Sequence, residues 1–142
     1  FTIGLISFLT FETNYNLLIG SFGATMVLIF GFPQSPFSQP KNIFFGHFIT
    51  SLVGIITYKY LFLSIYLVIA ISVGLGIFFM ILFNVTHPPA GGNAIIIILL
   101  ENTSYDFLLF PISVGVIFII FCGILFNRFL LKKKYPSWIV LF

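Results

Sequence analysis

Apolar residues along this chain neither alternate nor keep to one helical stripe; they run. Three stretches, roughly 41–58 (KNIFFGHFITSLVGIITY), 61–83 (LFLSIYLVIAISVGLGIFFMILF) and 107–127 (FLLFPISVGVIFIIFCGILFN), are apolar on nearly every side of a helix. A helix needs about 20 such residues, at about 1.5 Å each, to cross a hydrocarbon core of about 30 Å. Each stretch therefore predicts one crossing. The opening FTIGLISFLTF is too short for a full span and lacks a basic leader, so it reads as the end of a fourth long helix instead of a signal peptide.

Two shorter apolar segments lie between these runs, and both are broken. One is NLLIGSFGATMVLIFGF, residues 16–32, followed by the proline-rich PQSPFSQP. The other is FNVTHPPAGGNAIIIILL, residues 83–100. Pro88 disfavours helical geometry at His87, so the preceding helix is expected to stop near Asn84. Proline is tolerated in a first helical turn, so a new helix can start near Pro89 or Ala90 and run through Leu100. Such a start inside a membrane leaves unpaired N–H groups and a positive dipole end, which attract negative charge. Irregular backbone at that depth is tolerated where it is buried in protein or lines a watery cavity. Gly91 and Gly92 would leave the N–H groups open to whatever lies ahead. In the first segment Ser21 is expected to cap a similar start, Gly23 to allow close approach and Thr25 to add a hydroxyl. Thr86, His87 and Asn93 add side-chain donors to the second. The competing reading is that the glycines only let helices pack closely.

The two broken segments resemble each other. GATMVLIF at 23–30 aligns with GNAIIIIL at 92–99, a displacement of 69 residues that also carries Gly46 onto Gly115. Each half, 1–60 and 61–130, reads as long helix, glycine-broken short helix, long helix. Repeats with facing broken helices are a signature of transporters. The predicted fold is thus an all-α integral membrane domain over 1–142, with four long transmembrane helices, two shorter broken segments and an internal repeat. If the short segments cross completely the halves are inverted; if they re-enter, the halves are parallel. Residues 84–101 are long enough to cross, which favours inversion.

Composition narrows the class. Of 142 residues 60% are hydrophobic and only 6% charged, against about a quarter in soluble domains, so no water-facing surface can be covered. The net charge of +3 rests on Arg128, Lys132, Lys133 and Lys134, just past an apolar run. That cluster suits a juxtamembrane anchor on the cytoplasmic side and argues against nucleic-acid binding. With Tyr135 and Trp138, whose rings favour the headgroup level, it makes 131–142 an interface tail. A bacterial inner membrane is the expected setting. Cys122 is the single cysteine, so no disulfide forms within the chain.

No Asp, Glu, Lys or Arg falls within the interior of a predicted span; Glu12, Glu101 and Asp106 fall in connectors. Cation carriers and proton relays usually depend on intramembrane carboxylates. A small anion or neutral solute fits better. His47 and His87 are the ionisable groups at depth. Each is also readable as a histidine bonded to a backbone carbonyl. Two histidines without a nearby carboxylate or thiolate make a thin metal site, so neither a metal, a cofactor nor an enzymatic role is expected.

THPPAGGNA, with SFGATMVLIFGFPQSPFSQPKNIFFGHF, resembles the HPP family of small integral membrane proteins, named for its His-Pro-Pro motif. The matching residues are Ser21, Phe22, Gly23 and Ala24; Ser35, Pro36, Gln39 and Pro40; Asn42, Gly46 and His47; and Thr86 to Gly91. Family members often read A-G-A-T-A where this chain has AGGNA, so Gly92 and Asn93 depart from the pattern. The resemblance implies four membrane-spanning helices and, from some plant plastid members, nitrite transport. Two functions follow. One is a transporter or channel for a small inorganic anion, nitrite first, working as a homo-oligomer in the lipid bilayer. The other is a non-catalytic membrane partner or sensor subunit. The candidate binding residues are Ser21, Gly23, Ala24, Thr25, His47, Thr86, His87, Pro88, Pro89, Gly91, Gly92 and Asn93.

Overall fold

The computed structural model describes residues 2–13, 18–102 and 104–137. All regular elements among them are helical. Helix α1 is Thr2–Thr13, α2 Gly20–Gly31, α3 Pro40–Tyr60 and α4 Ile65–Leu82. A 3₁₀ turn, Pro88–Gly92, leads into α5, Asn93–Leu99. Helix α6, Leu108–Leu130, is α-helical over Val114–Leu125 with wider π turns at each end.

Three of these, α3, α4 and α6, are long and apolar enough to cross a membrane, and they match the three predicted spans closely. The opening run forms a helix of 12 residues, Thr2–Thr13, so the described residues hold three full-length spans and not the four expected. The break predicted near Asn84 is present. Helix α4 ends at Leu82, Asn84 has a left-handed φ of 53°, and the chain restarts at Pro88. Proline in the first turn starts the 3₁₀ segment as expected. Helix α2 starts one residue before the expected cap. Ile19 is its N-cap and no side chain caps it, because the Ser21 hydroxyl is bonded elsewhere.

Contacts at the two ends of the bundle order the helices. Gln34, Lys41, Asn42, Asn84 and Ser137 line one cavity, which puts the α2–α3 loop, the end of α4 and the tail together. At the other end the Lys59 ammonium lies 5.0 Å from the Tyr105 ring centre. Residues 84–105 therefore carry the chain from one end to the other despite their short helix. Thr2, Ile3, Phe30 and Phe126 share a cavity, so α1 begins near the tail end.

Two glycine seams hold the short helices. On α3, a Cβ at Gly46 would stand 2.8 Å from His87 Cβ, and one at Gly54 would stand 2.9 Å from Ala94 Cα. On α6, a Cβ at Gly115 would meet the Phe22 ring at 2.5 Å, and one at Gly123 would meet Ile29 Cγ2 at 2.6 Å. The helix of residues 88–99 thus presses on α3, and α2 presses on α6. The apolar core lies between them, with Phe22, Ile29, Ile43, Ile55, Ile97, Ile112 and Ile119 buried. Helix α4 is the exception, for only 22% of its span is buried, and it presents apolar side chains outward.

Tyr135 faces inward. It is fully buried beside Gly123, and its hydroxyl donates to the Ser38 carbonyl at 2.8 Å. Burial pushes its phenol up from the ordinary value. Trp138 lies outside the described residues.

Candidate functional site

The loop PQSPFSQP is tied down by its own side chains. Ser35 Oγ accepts from the Phe37 N–H, Ser38 Oγ donates to the Phe32 carbonyl at 2.8 Å, and Gln39 Nε2 donates to the carbonyls of Pro33 and Ser35. These bonds fix the Phe37 carbonyl in space. His87 reaches it, with Nδ1 at 2.7 Å. The extended backbone at His87, forced by Pro88, lets the side chain point back toward that loop. Asn42 Nδ2 donates to the Thr86 carbonyl at 3.0 Å and pins the residue before it.

Behind His87 lies a polar junction that none of the surrounding apolar residues reveals. Thr25 Oγ1 stands 2.9 Å from His87 Nε2 and 2.9 Å from His47 Nε2. It also stands 3.0 Å from the Ser21 carbonyl, one turn back on α2. The amide nitrogen of Asn93 is 2.9 Å from His47 Nδ1 and donates to Ser51 Oγ at 3.0 Å. Ser21 Oγ donates to Asn93 Oδ1 at 2.6 Å. His47, His87, Thr25 and Ser51 are all fully buried, and Asn93 is 1% exposed.

The partners assign the protons. A carbonyl only accepts, so His87 Nδ1 carries a hydrogen and its Nε2, when neutral, is a lone pair. The Asn93 amide nitrogen also faces the His47 carbonyl at 3.3 Å, which keeps it from flipping. It only donates, so His47 Nδ1 is the lone pair and Nε2 carries the hydrogen. The two histidines hold opposite tautomers and meet at one hydroxyl. Donors and acceptors then run from Ser21 to Asn93, from Asn93 to His47 and from His47 to Thr25, while His87 donates to the Phe37 carbonyl; the single Thr25 hydrogen faces both the Ser21 carbonyl and His87 Nε2.

Depth follows from α3. His47 is seven residues past Pro40, about 10 Å along the axis, and Ser51 is eleven past it, about 16 Å. The chain of bonds thus descends from the loop end towards the middle of a helix long enough to span.

Of the sequence-predicted residues, the structure brings Ser21, Thr25, His47, His87 and Asn93 into contact. Thr86 contributes its carbonyl to Asn42, and Pro88 and Pro89 shape the turn. Gly23, Gly91 and Gly92 stand aside: a Cβ at each would meet nothing within 4 Å. Ala24 is exposed on the outer face of α2. At the end of the 3₁₀ turn the Asn93 N–H bonds the Ala90 carbonyl, so that N–H is not among the bare groups expected around Gly92. Ser51 and the Phe37 carbonyl were missed. Ser51 was discoverable, lying four residues after His47 and hence on its helix face. The carbonyl carries no sequence signal. Among the described residues no group of three His, Cys, Asp or Glu is placed to hold a metal.

A family profile for the HPP transmembrane region matches residues 1–136. The chain belongs to the HPP transmembrane family. Its relatives include a transmembrane protein of Dictyostelium discoideum, 34% identical over 133 residues, covering 89% of this chain and 47% of the relative. A second from the same organism is 32% identical over 133 residues, covering 89% and 43%. The chain therefore spans less than half the length of these curated relatives. No solved structure matches it. The HPP triplet itself now has a physical account. Its histidine closes the polar junction, and its two prolines hold His87 extended and start the next helix.

Proposed function

We propose that this HPP protein moves a small inorganic anion across a membrane, nitrite being the leading substrate, and that the anion engages the His47–Thr25–His87 junction. The observation that carries the reading is the convergence of both histidines on Thr25, between two interrupted helices, at a depth where polar groups are costly. Imidazole, hydroxyl and amide groups supply donors, and no carboxylate stands beside them to hold a cation. Side chains, not the N–H groups around Gly23 and Gly92, are the ligands in this reading. It includes no catalytic step, no metal and no cofactor.

An inverted repeat belongs to the same proposal, and the glycine seams support it. The displacement of 69 carries Gly46 onto Gly115 and Gly54 onto Gly123. Each pair receives the short helix of the other half. Full crossing of 84–105 and the position of Thr2 near the tail end give three passes per half in opposite senses. Lys41 then joins the C-terminal basic cluster at one end and Lys59 lies at the other, so the positive-inside rule puts the tail in the cytoplasm. A bacterial inner membrane and a homo-oligomer, with the apolar outer face of α4 against lipid or a second copy, complete the proposal.

Uptake into proteoliposomes tests it. Nitrite, nitrate, formate or chloride should enter faster than into protein-free vesicles; equal rates for all four would end the reading. The second reading, a non-catalytic partner or sensor subunit, has one observation in its favour. Every polar side chain of the junction is already bonded, and none of the cavities named above touches it. Thr25→Val separates the two. Normal folding with lost uptake favours transport, whereas joint loss of folding and uptake favours a structural junction.

A further inference from the structure

The Thr25 hydroxyl has one hydrogen and two lone pairs, yet three polar atoms surround it at bonding distance. His47 Nε2 is at 2.9 Å, His87 Nε2 at 2.9 Å and the Ser21 carbonyl at 3.0 Å. With both histidines neutral, only two hydrogens serve these three contacts. One comes from His47 Nε2, and the other is Thr25's own, which must choose between His87 and Ser21. The neutral junction is one hydrogen short.

A single added proton completes it. Placed on His87 Nε2, it makes that atom a donor to Thr25, whose own hydrogen turns to the Ser21 carbonyl. Thr25 then accepts from both histidines and donates once, and all three contacts are hydrogen bonds. His47 cannot take the proton on the same terms. Its free nitrogen faces the Asn93 amide, which only donates and is held against flipping by the His47 carbonyl and Ser51. His87 is the acceptor because its partner hydroxyl has somewhere else to point.

The charge so created has no counter-charge in place. Helices α2 and α5 and the 36–38 turn carry no titratable side chain. Helix α3 adds Lys41, Tyr58, Lys59 and Tyr60 near its ends, α4 adds the exposed Tyr66, and α6 adds Cys122 and, at its tail, Arg128. His87 and His47 face each other, with ring centres 5.0 Å apart, and no carboxylate lies on any of these elements. A lone imidazolium in a dry interior is disfavoured, and a monovalent anion beside it removes that penalty.

The geometry points to a one-proton site at His87 Nε2, switched by rotation of the Thr25 hydroxyl, that loads a proton together with one monovalent anion and so makes transport electroneutral. This rests on the anion-transport reading above. No covalent bond changes besides the proton on His87, and the charge of the proton is balanced by that of the anion.

Proteoliposomes with a pH dye inside and the membrane potential clamped by potassium and valinomycin provide the test. Nitrate is the first probe because its conjugate acid is too strong to leak through lipid as a neutral molecule; nitrite follows, with protein-free vesicles as the background. The expected result is one proton entering per anion, at a rate unchanged by the clamped potential. Thr25→Ser should keep uptake and the one-to-one ratio, and Thr25→Val, which folds but offers no hydroxyl to either histidine, should take up neither proton nor anion. Anion entry without acidification, or entry that follows the potential, overturns the proposal even though the transport reading survives. If no anion moves, the transport reading falls, and ¹⁵N histidine spectra during acidification decide the proton site. His87 gaining its second N–H while His47 keeps its Nε2–H tautomer supports it; His47 protonating first, or both together, overturns it.

Discussion

The two glycine seams look alike from the backbone and differ in what they seal. On α6, Gly115 and Gly123 admit Phe22 and Ile29, and the contact is apolar but for the buried Asn127, whose Nδ2 donates to the Ile29 carbonyl at 3.1 Å. On α3, Gly46 and Gly54 admit His87 and Ala94, and the space beside them holds His47, Ser51, Thr25 and Asn93. The same displacement that relates the glycines carries His47 onto Val116 and Thr25 onto Ala94. Two seams of the same glycine spacing therefore differ in chemistry: only the one on α3 gathers histidines. One seam supplies rigidity, and the other supplies rigidity and a polar junction.

The largest test of that contrast is Gly54→Ala. The added methyl meets backbone, Ala94 Cα at 2.9 Å, which cannot rotate away. Overpacking of this kind costs about 3 kcal/mol. Unfolding titration in mixed micelles should register a loss of that order, and no substitution at Ala94 should relieve it. Asn93→Ala comes next. It strips partners from Ser21, Ser51 and His47 Nδ1, all in a buried site, at a cost of about 2 kcal/mol.

Gly123→Ala should be milder, about 1 kcal/mol, because the methyl meets a side-chain atom, Ile29 Cγ2. Leucine lacks that branch, so the double variant Gly123→Ala/Ile29→Leu should recover most of the loss in the same titration. Failure of this rescue, or a rescue of Gly54→Ala by trimming a side chain, would erase the distinction between the seams. The smallest effect belongs to Gly92→Ala. Nothing lies within 4 Å of the new methyl and the backbone is already helical, so the change should stay within about 0.5 kcal/mol. A fall in anion uptake without loss of stability would give the glycine a place in anion binding.

The sequence by itself determined the class, the three spans and the two breaks. Long apolar runs have no alternative to a membrane, and Pro88 acts within one residue of where it stands. It also marked five of the junction's residues, because a hydroxyl, an amide or a histidine is conspicuous where nearly everything else is greasy. What it could not decide was which of these would touch. Ser21 and Asn93 are 72 residues apart and Thr25 and His87 are 62 apart, so only the packing of α2 against the 88–93 turn brings them together. Tertiary structure also reassigned the glycines. Gly91 and Gly92, chosen for their bareness, face open space, whereas Gly46 and Gly54 carry the close approach. A glycine's role is set by what lies opposite its missing side chain, and that neighbour comes from elsewhere in the chain.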